Sequence, residues 1–144
     1  ADTVFCTTQF DAVTGTTGTT FTNVVGMSTT VVAGTYVFQI MLPGTATVNS
    51  GNKYCFKYTT TVMTTLEATG LSFTATGVAV QHTTTATDQA PLFAATAANI
   101  YTLITGRAVV GTGGTVAFQA AQNASHVDTT SVYVGASMTF TRVS

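Results

Sequence analysis

Two histidines, two cysteines and five carboxylates are the side chains in this sequence best suited to general acid–base work or metal ligation. Nucleophilic catalysis needs a Ser or Cys beside a His that an acid orients, and only His82 and His126 are on offer. His126 lies two residues from Asp128 on a stretch that reads as a loop. A metal site wants three or four ligands, and no HxH, CxxC or HExxH spacing occurs. Asp2, Asp11, Glu67, Asp88 and Asp128 are spread singly, so nothing in the spacing supports a glycosidase-like carboxylate pair. His126 and Asp128 are expected to be surface loop residues, and no catalytic residue, metal or cofactor is expected.

The stretch "GTGGTVAFQAAQNAS", residues 111–125, offers two further chemistries. A phosphate cradle needs glycine-rich turn geometry that opens a helix, whose N-terminal amides meet the anion. This one opens a strand and lacks the Gly-Lys-Ser/Thr ending, so Gly111, Gly113 and Gly114 are expected to supply positive φ to a hairpin. Asn123-Ala-Ser125 matches a glycosylation acceptor but acts as one only in a secretory pathway. The N-terminus carries no signal-peptide pattern, so the tripeptide is expected to end the strand as an unmodified turn.

The elements that would position these groups are strands. Threonine makes up roughly a quarter of the chain, and its branched Cβ favours extended backbone. Strand-like runs recur between Gly/Thr/Asn clusters near 3–10, 21–27, 34–42, 53–60, 71–81, 99–110, 115–122 and 131–143, with a ninth near 61–66. Stretches 14–20, 43–52 and 83–97 read as turns and long connections, with one helical turn at "PLFAATA". Alternation puts Tyr36, Phe38, Ile40 and Leu42 on one face of their strand, and Val132, Val134, Met138 and Phe140 on one face of theirs. Segment 100–110 is apolar on both sides: Ile100, Ile104, Ala108 and Val110 face one way, Tyr101, Leu103 and Val109 the other. One side belongs in the core, and the other needs a partner.

Irregular spacing and two long connections favour an antiparallel jelly-roll sandwich of about eight strands over a meander. An immunoglobulin-type sandwich is the competitor, disfavoured by the absence of tryptophan. The length fits a single domain, 1–144, with residues 1–10 as an extended N-terminal strand or arm. Cys6 and Cys55 sit in apolar runs and read as buried free thiols. A disulfide depends on whether their strands pair.

Charged residues are only 6% of the chain, hydrophobic ones 45%, and the net charge is −1. Lys53, Lys57, Arg107 and Arg142 are too scattered to track a phosphate backbone, so a nucleic-acid partner is not expected. No apolar run reaches the length of a membrane span, and a membrane partner is not expected either. A free monomer usually carries about a quarter charged residues on its surface, so this composition points to association. Ala1 suits removal of an initiating Met from a product kept in the cytoplasm, and a cleaved signal peptide would equally leave a short residue there.

The C-terminal half resembles a pattern that recurs in structural proteins of tailed bacteriophages. The resembling features are the strand ending Gly106-Arg107, the "GTGGTVAFQ" segment leading into "AQNAS", and the closing "VYVGASMTFTRV", with "VVAGTYVFQIML" upstream. The resemblance covers half to two thirds of the chain. It implies a trimeric jelly roll of the tumour necrosis factor type and a role as a capsid decoration (cement) protein or a tail-fibre tip. The absence of a long trimerising shaft favours the decoration role.

On that reading the partners are further copies of the chain, as a homotrimer, and the major capsid protein. The location is the outer capsid surface of a virion assembled in the host cytoplasm. Tyr101, Leu103, Val109 and Phe118 are expected to line the contact between copies, and Ala1, Asp2, Thr3, Val4 and Phe5 the contact with the capsid. The alternative is a receptor-binding tail tip that uses loops 43–52 and 83–97, where Phe93 is the aromatic residue. A major coat protein of a small jelly-roll virus would be expected to carry a basic arm, which this N-terminus lacks.

Overall fold

The computed structural model describes residues 4–8, 18–59, 62–95, 98–128, 130–133 and 135–144, and among them every regular element is a β-strand. Eleven strands run in chain order: β1 (Val4–Thr8), β2 (Thr22–Val31), β3 (Gly34–Ala46), β4 (Asn52–Thr59), β5 (Val62–Phe73), β6 (Val78–Thr84), β7 (Pro91–Ala95), β8 (Asn99–Thr112), β9 (Gly114–Ala121), the two-residue β10 (Ser131–Val132) and β11 (Ser137–Arg142). They form two antiparallel sheets. The larger has the order β1-β11-β3-β8-β5-β6, with β10 paired to β3, and the smaller has the order β2-β9-β4-β7.

The pairing is nested. β1 pairs β11, β2 pairs β9, β3 pairs β8 and β4 pairs β7, while the chain crosses between sheets at each step from β1 to β4 and again from β7 through β8 and β9 to β11. This is the winding of a long antiparallel ribbon rolled on itself, and the fold is a jelly roll. The hairpin β5–β6 is inserted between β4 and β7 and extends the larger sheet beyond β8.

Period-two alternation builds the core. In β3, Tyr36, Phe38, Ile40 and Leu42 are buried while Val37, Gln39 and Met41 face out. Ile104, Ala108 and Val110 of β8 and Met138 and Phe140 of β11 bury the same side of the larger sheet. Opposite them stand Tyr54 and Phe56 of β4, Phe93 of β7 and Phe118 of β9. The rings interlock: Phe38 meets Phe56 edge-on at 5.3 Å, and Tyr54 stacks on Phe118 at 5.5 Å. Phe93 fills the space at Gly70 of β5, where a Cβ would come within 2.5 Å of its ring.

Several expectations are corrected. The run read as one strand at 71–81 is the end of β5, a turn at 74–77 closed by Thr74 N–H donating to the Gly77 carbonyl, and most of β6. "PLFAA" is strand β7 rather than a helical turn, because its Leu92 and Phe93 are needed in the core. Segment 131–143 is broken into β10 and β11 by Gly135 at φ 97°. Strand β3 runs through the expected turn at Pro43–Ala46, with a register shift there, because Pro43 lends its carbonyl to Tyr133 N–H and Gly44 pairs with Val132. Val134 lies outside the described residues.

Gly111, Gly113 and Gly114 do not have positive φ, and the segment is not a hairpin but the crossing from the larger sheet to the smaller. Glycine at 113 is required by close approach: a Cβ there would lie 2.6 Å from the Val31 carbonyl oxygen. Cys6 belongs to β1 of the larger sheet and Cys55 to β4 of the smaller, so the strands that carry them do not pair.

Candidate functional site

On the outer side of the larger sheet, register aligns side chains from four adjacent strands into rows. Met41 (β3) pairs with Leu103 (β8), Leu103 with Leu71 (β5), and Leu71 with Val80 (β6). The next row is Pro43, Tyr101, Phe73 and Val78. Met41 is 40% exposed, Val78 52% and Val80 67%, and the residues between them are half-buried. Tyr101 and Phe73 touch edge to face at 5.9 Å, which stiffens the middle of the strip. Among the described residues nothing lies over the exposed ends of these two contiguous apolar rows.

Toward the other end of the same face the rows become polar. Gln39, Thr105, Thr69 and His82 form one, with Thr69 Oγ1 3.2 Å from His82 Nδ1. Val37, Arg107, Glu67 and Thr84 form the next. Short side chains leave two shallow hollows beside β8 here, of about 490 Å³ next to Gln39 and Thr139 and about 210 Å³ next to Thr69 and His82. Arg107 and Glu67 are directly opposed and exposed, yet among the described residues neither is in an ion pair or a side-chain hydrogen bond. Beyond them Val109 pairs with Thr35 and Thr65.

The residues expected at a contact between copies divide accordingly. Tyr101, Leu103 and Val109 share this outer face, as the two-sided pattern of 100–110 requires. Phe118 does not: it is fully buried between Tyr54 and Phe56 and lines no surface. Its strand, β9, is central in the smaller sheet, and even position 118 of such a strand points inward. Of the residues expected at the capsid, Ala1, Asp2 and Thr3 lie outside the described residues, and Val4 and Phe5 pair through their backbone with β11 of the same chain. Val4–Thr8 thereby forms edge strand β1 of the larger sheet. Met41, Leu71, Phe73, Val78 and Val80 belong to the apolar strip and were missed. The signal of Leu71, Phe73, Val78 and Val80 was the outward apolar alternation on either side of the unrecognised turn at 74–77, and that of Met41 was its place on the outward side of β3.

The outer side of the smaller sheet carries a chain of amides. Gln89 Nε2 donates to Gln119 Oε1 at 2.7 Å, Gln119 Nε2 donates to Asn23 Oδ1 at 2.8 Å, and Cys55 Sγ donates weakly to the same Gln119 oxygen at 3.6 Å. Burial first, and then the nearby Asp88 carboxylate, push the Cys55 thiol up to about 12. A thiol held protonated at neutral pH is a poor nucleophile. Asp88 pairs with Lys57 at 2.8 Å and accepts Tyr58 N–H at 2.9 Å. Burial opposes its charge, but those two donors outweigh it and hold the carboxyl below its ordinary value.

Asp128 and His126 do meet, with Nδ1 to Oδ2 at 3.2 Å. The same Oδ2 accepts from Thr47 Oγ1 at 2.8 Å and Asn49 Nδ2 at 3.1 Å. Among the described residues no third His, Cys, Asp or Glu joins them. The cluster ties loop 47–51 to loop 122–130, and Asn123 N–H closes the tie by donating to the Ser50 carbonyl at 3.1 Å. The Asn49 and Thr47 donors hold the Asp128 carboxyl below its usual range.

Fold and face together define a jelly-roll β-sandwich with an uncovered apolar strip on its larger sheet. Comparison with protein-family models, with curated proteins and with solved structures finds no match to this chain.

Proposed function

We propose that this protein is a structural component that works as an assembled oligomer, and that the assembly it serves is the outer surface of a bacteriophage head. The observation that carries the reading is the pair of registered apolar rows through Leu103 and Tyr101, exposed at their β3 and β6 ends on a chain with only 6% charged residues. An exposed apolar strip of this continuity marks an interaction surface. The placement on a virion rests on the phage-like segments of the sequence.

A decoration protein needs no reaction chemistry. Several weak contacts made at once by one oligomer hold neighbouring capsid subunits together far better than any single contact. Light scattering of the purified protein at micromolar concentration is expected to give a multiple of the 14.8 kDa chain mass. A monomer would remove the basis of the proposal. Antibody labelling of particles is expected to decorate the head, and label confined to the tail would assign the protein to a tail tip instead.

A further inference from the structure

We infer that the self-contact is two-fold and isologous, with the axis lying along the seam between β5 and β8, so that Arg107 of each copy pairs with Glu67 of the other. The inference rests on the proposed self-association and specifies its geometry.

The argument is one of symmetry. Across the apolar strip the strand order is β3, β8, β5, β6, and the seam divides these four strands in half, with β11 and β1 lying beyond β3. A two-fold rotation about an axis along the strands at that seam lays β8 over the other copy's β5 and β3 over its β6, and each row faces the same row. The apolar row Met41, Leu103, Leu71, Val80 then meets itself reversed: Met41 against Val80, Leu103 against Leu71. The charged row does the same, and Arg107 on β8 faces Glu67 on β5 twice over. A face that is apolar on both sides of the seam and oppositely charged across it is self-complementary under this operation.

Two further features agree. Arg107 and Glu67 stand in register within one chain, but among the described residues neither has an ion-pair or side-chain hydrogen-bond partner, which leaves both for a second copy. The packing produced is sheet on sheet with strands aligned, a standard arrangement of two antiparallel sheets. Four strands by four rows span about 19 Å by 27 Å. The two copies together then cover roughly 1,000 Å², the threshold for a specific interface. A two-fold contact takes the place of the three-fold ring that the phage resemblance implies.

The test uses two exposed charge reversals, Arg107→Glu and Glu67→Arg, with circular dichroism to confirm that each remains folded. The wild-type chain is expected to be a dimer. Each variant alone sets like charges against each other twice and is expected to dimerise about tenfold or more weakly. A 1:1 mixture restores both pairs and is expected to give heterodimers, counted by native mass spectrometry. An effect confined within one chain cannot produce that rescue. A wild-type trimer would overturn the two-fold geometry while leaving self-association standing, and a wild-type monomer would overturn both. A dimer indifferent to the reversals and to mixing would overturn this inference alone.

Discussion

The side chain of Gln81 acts as a strand residue for Ala94. Its Oε1 accepts the Ala94 N–H at 2.7 Å, and its Nε2 donates to the Ala94 carbonyl at 3.3 Å. An amide group from edge strand β6 of the larger sheet thus occupies the open edge of β7 in the smaller one. Edges left bare invite pairing with other chains. Replacement by Ala is expected to cost about 1 kcal/mol and to speed amide exchange at Ala94, both readable by hydrogen exchange. Unchanged protection at Ala94 would show that the bridge is not what closes this edge.

Leu103 and Phe118 make a contrasting pair. Phe118→Ala empties a fully buried ring position and is expected to destabilise the fold by about 3–5 kcal/mol in denaturant titration. Leu103→Asp lies on the outer strip and is expected to leave that midpoint nearly unchanged while shifting the light-scattering mass to that of the monomer. If both variants lowered stability alike, the strip would belong to the core and not to an interface.

Glycines 106 and 77 differ in what a methyl group would meet. A Cβ on Gly106 would lie 2.1 Å from the Glu67 carbonyl oxygen and 2.5 Å from Phe38 Cζ, whereas one on Gly77 meets nothing within 4 Å. Gly106→Ala is expected to cost about 1–3 kcal/mol, and Gly77→Ala to be close to neutral, as thermal melts of the two variants will show.

The tie at Asp128 is expected to open in acid. A carboxyl whose folded value is depressed adds stability above its unfolded value, near 3.9, and that stability is lost as pH falls through the lower folded value. Amide resonances of Asn49 and His126 are therefore expected to shift below about pH 4. In Asp128→Asn the same resonances are expected to show no such acid step.

Cys55 is expected to resist thiol reagents. In a Cys6→Ser variant, which isolates it, an aromatic disulfide reagent at pH 8 is expected to label Cys55 only as fast as the protein unfolds, because burial holds the thiol near 12. Rapid labelling of the native protein would contradict the sealed position beneath Gln119.

Much of this was legible in the residues. Strand β3 is readable because Tyr36, Phe38, Ile40 and Leu42 alternate strictly with polar or smaller neighbours, and a period of two has one structural meaning. The second apolar side of 100–110 announced the outer face: Tyr101 and Leu103 are on its apolar strip, and Val109 stands on the same face beyond the charged row. Phe118 was misplaced because its neighbours Ala117 and Gln119 are also nearly buried, so alternation gave no contrast. Strand β7 was hidden by a proline and a run of alanines, whose strand character comes from the core's need for Leu92 and Phe93. The opposition of Arg107 and Glu67 was beyond reach, since register between strands forty positions apart is set by the packed sheet and not by local pattern.

The nested winding also dictates when the molecule can become itself. Val4 must find Thr141, and Asn23 must find Gln119, before the larger and smaller sheets close. Until those later residues are made, the early strands lack their mates, with greasy faces such as that of β3 open to other molecules. Closure is slow for such topologies. A threonine-rich coat with few charges offers little repulsion between crowded half-made copies, so dependence on chaperones is expected during high-level production.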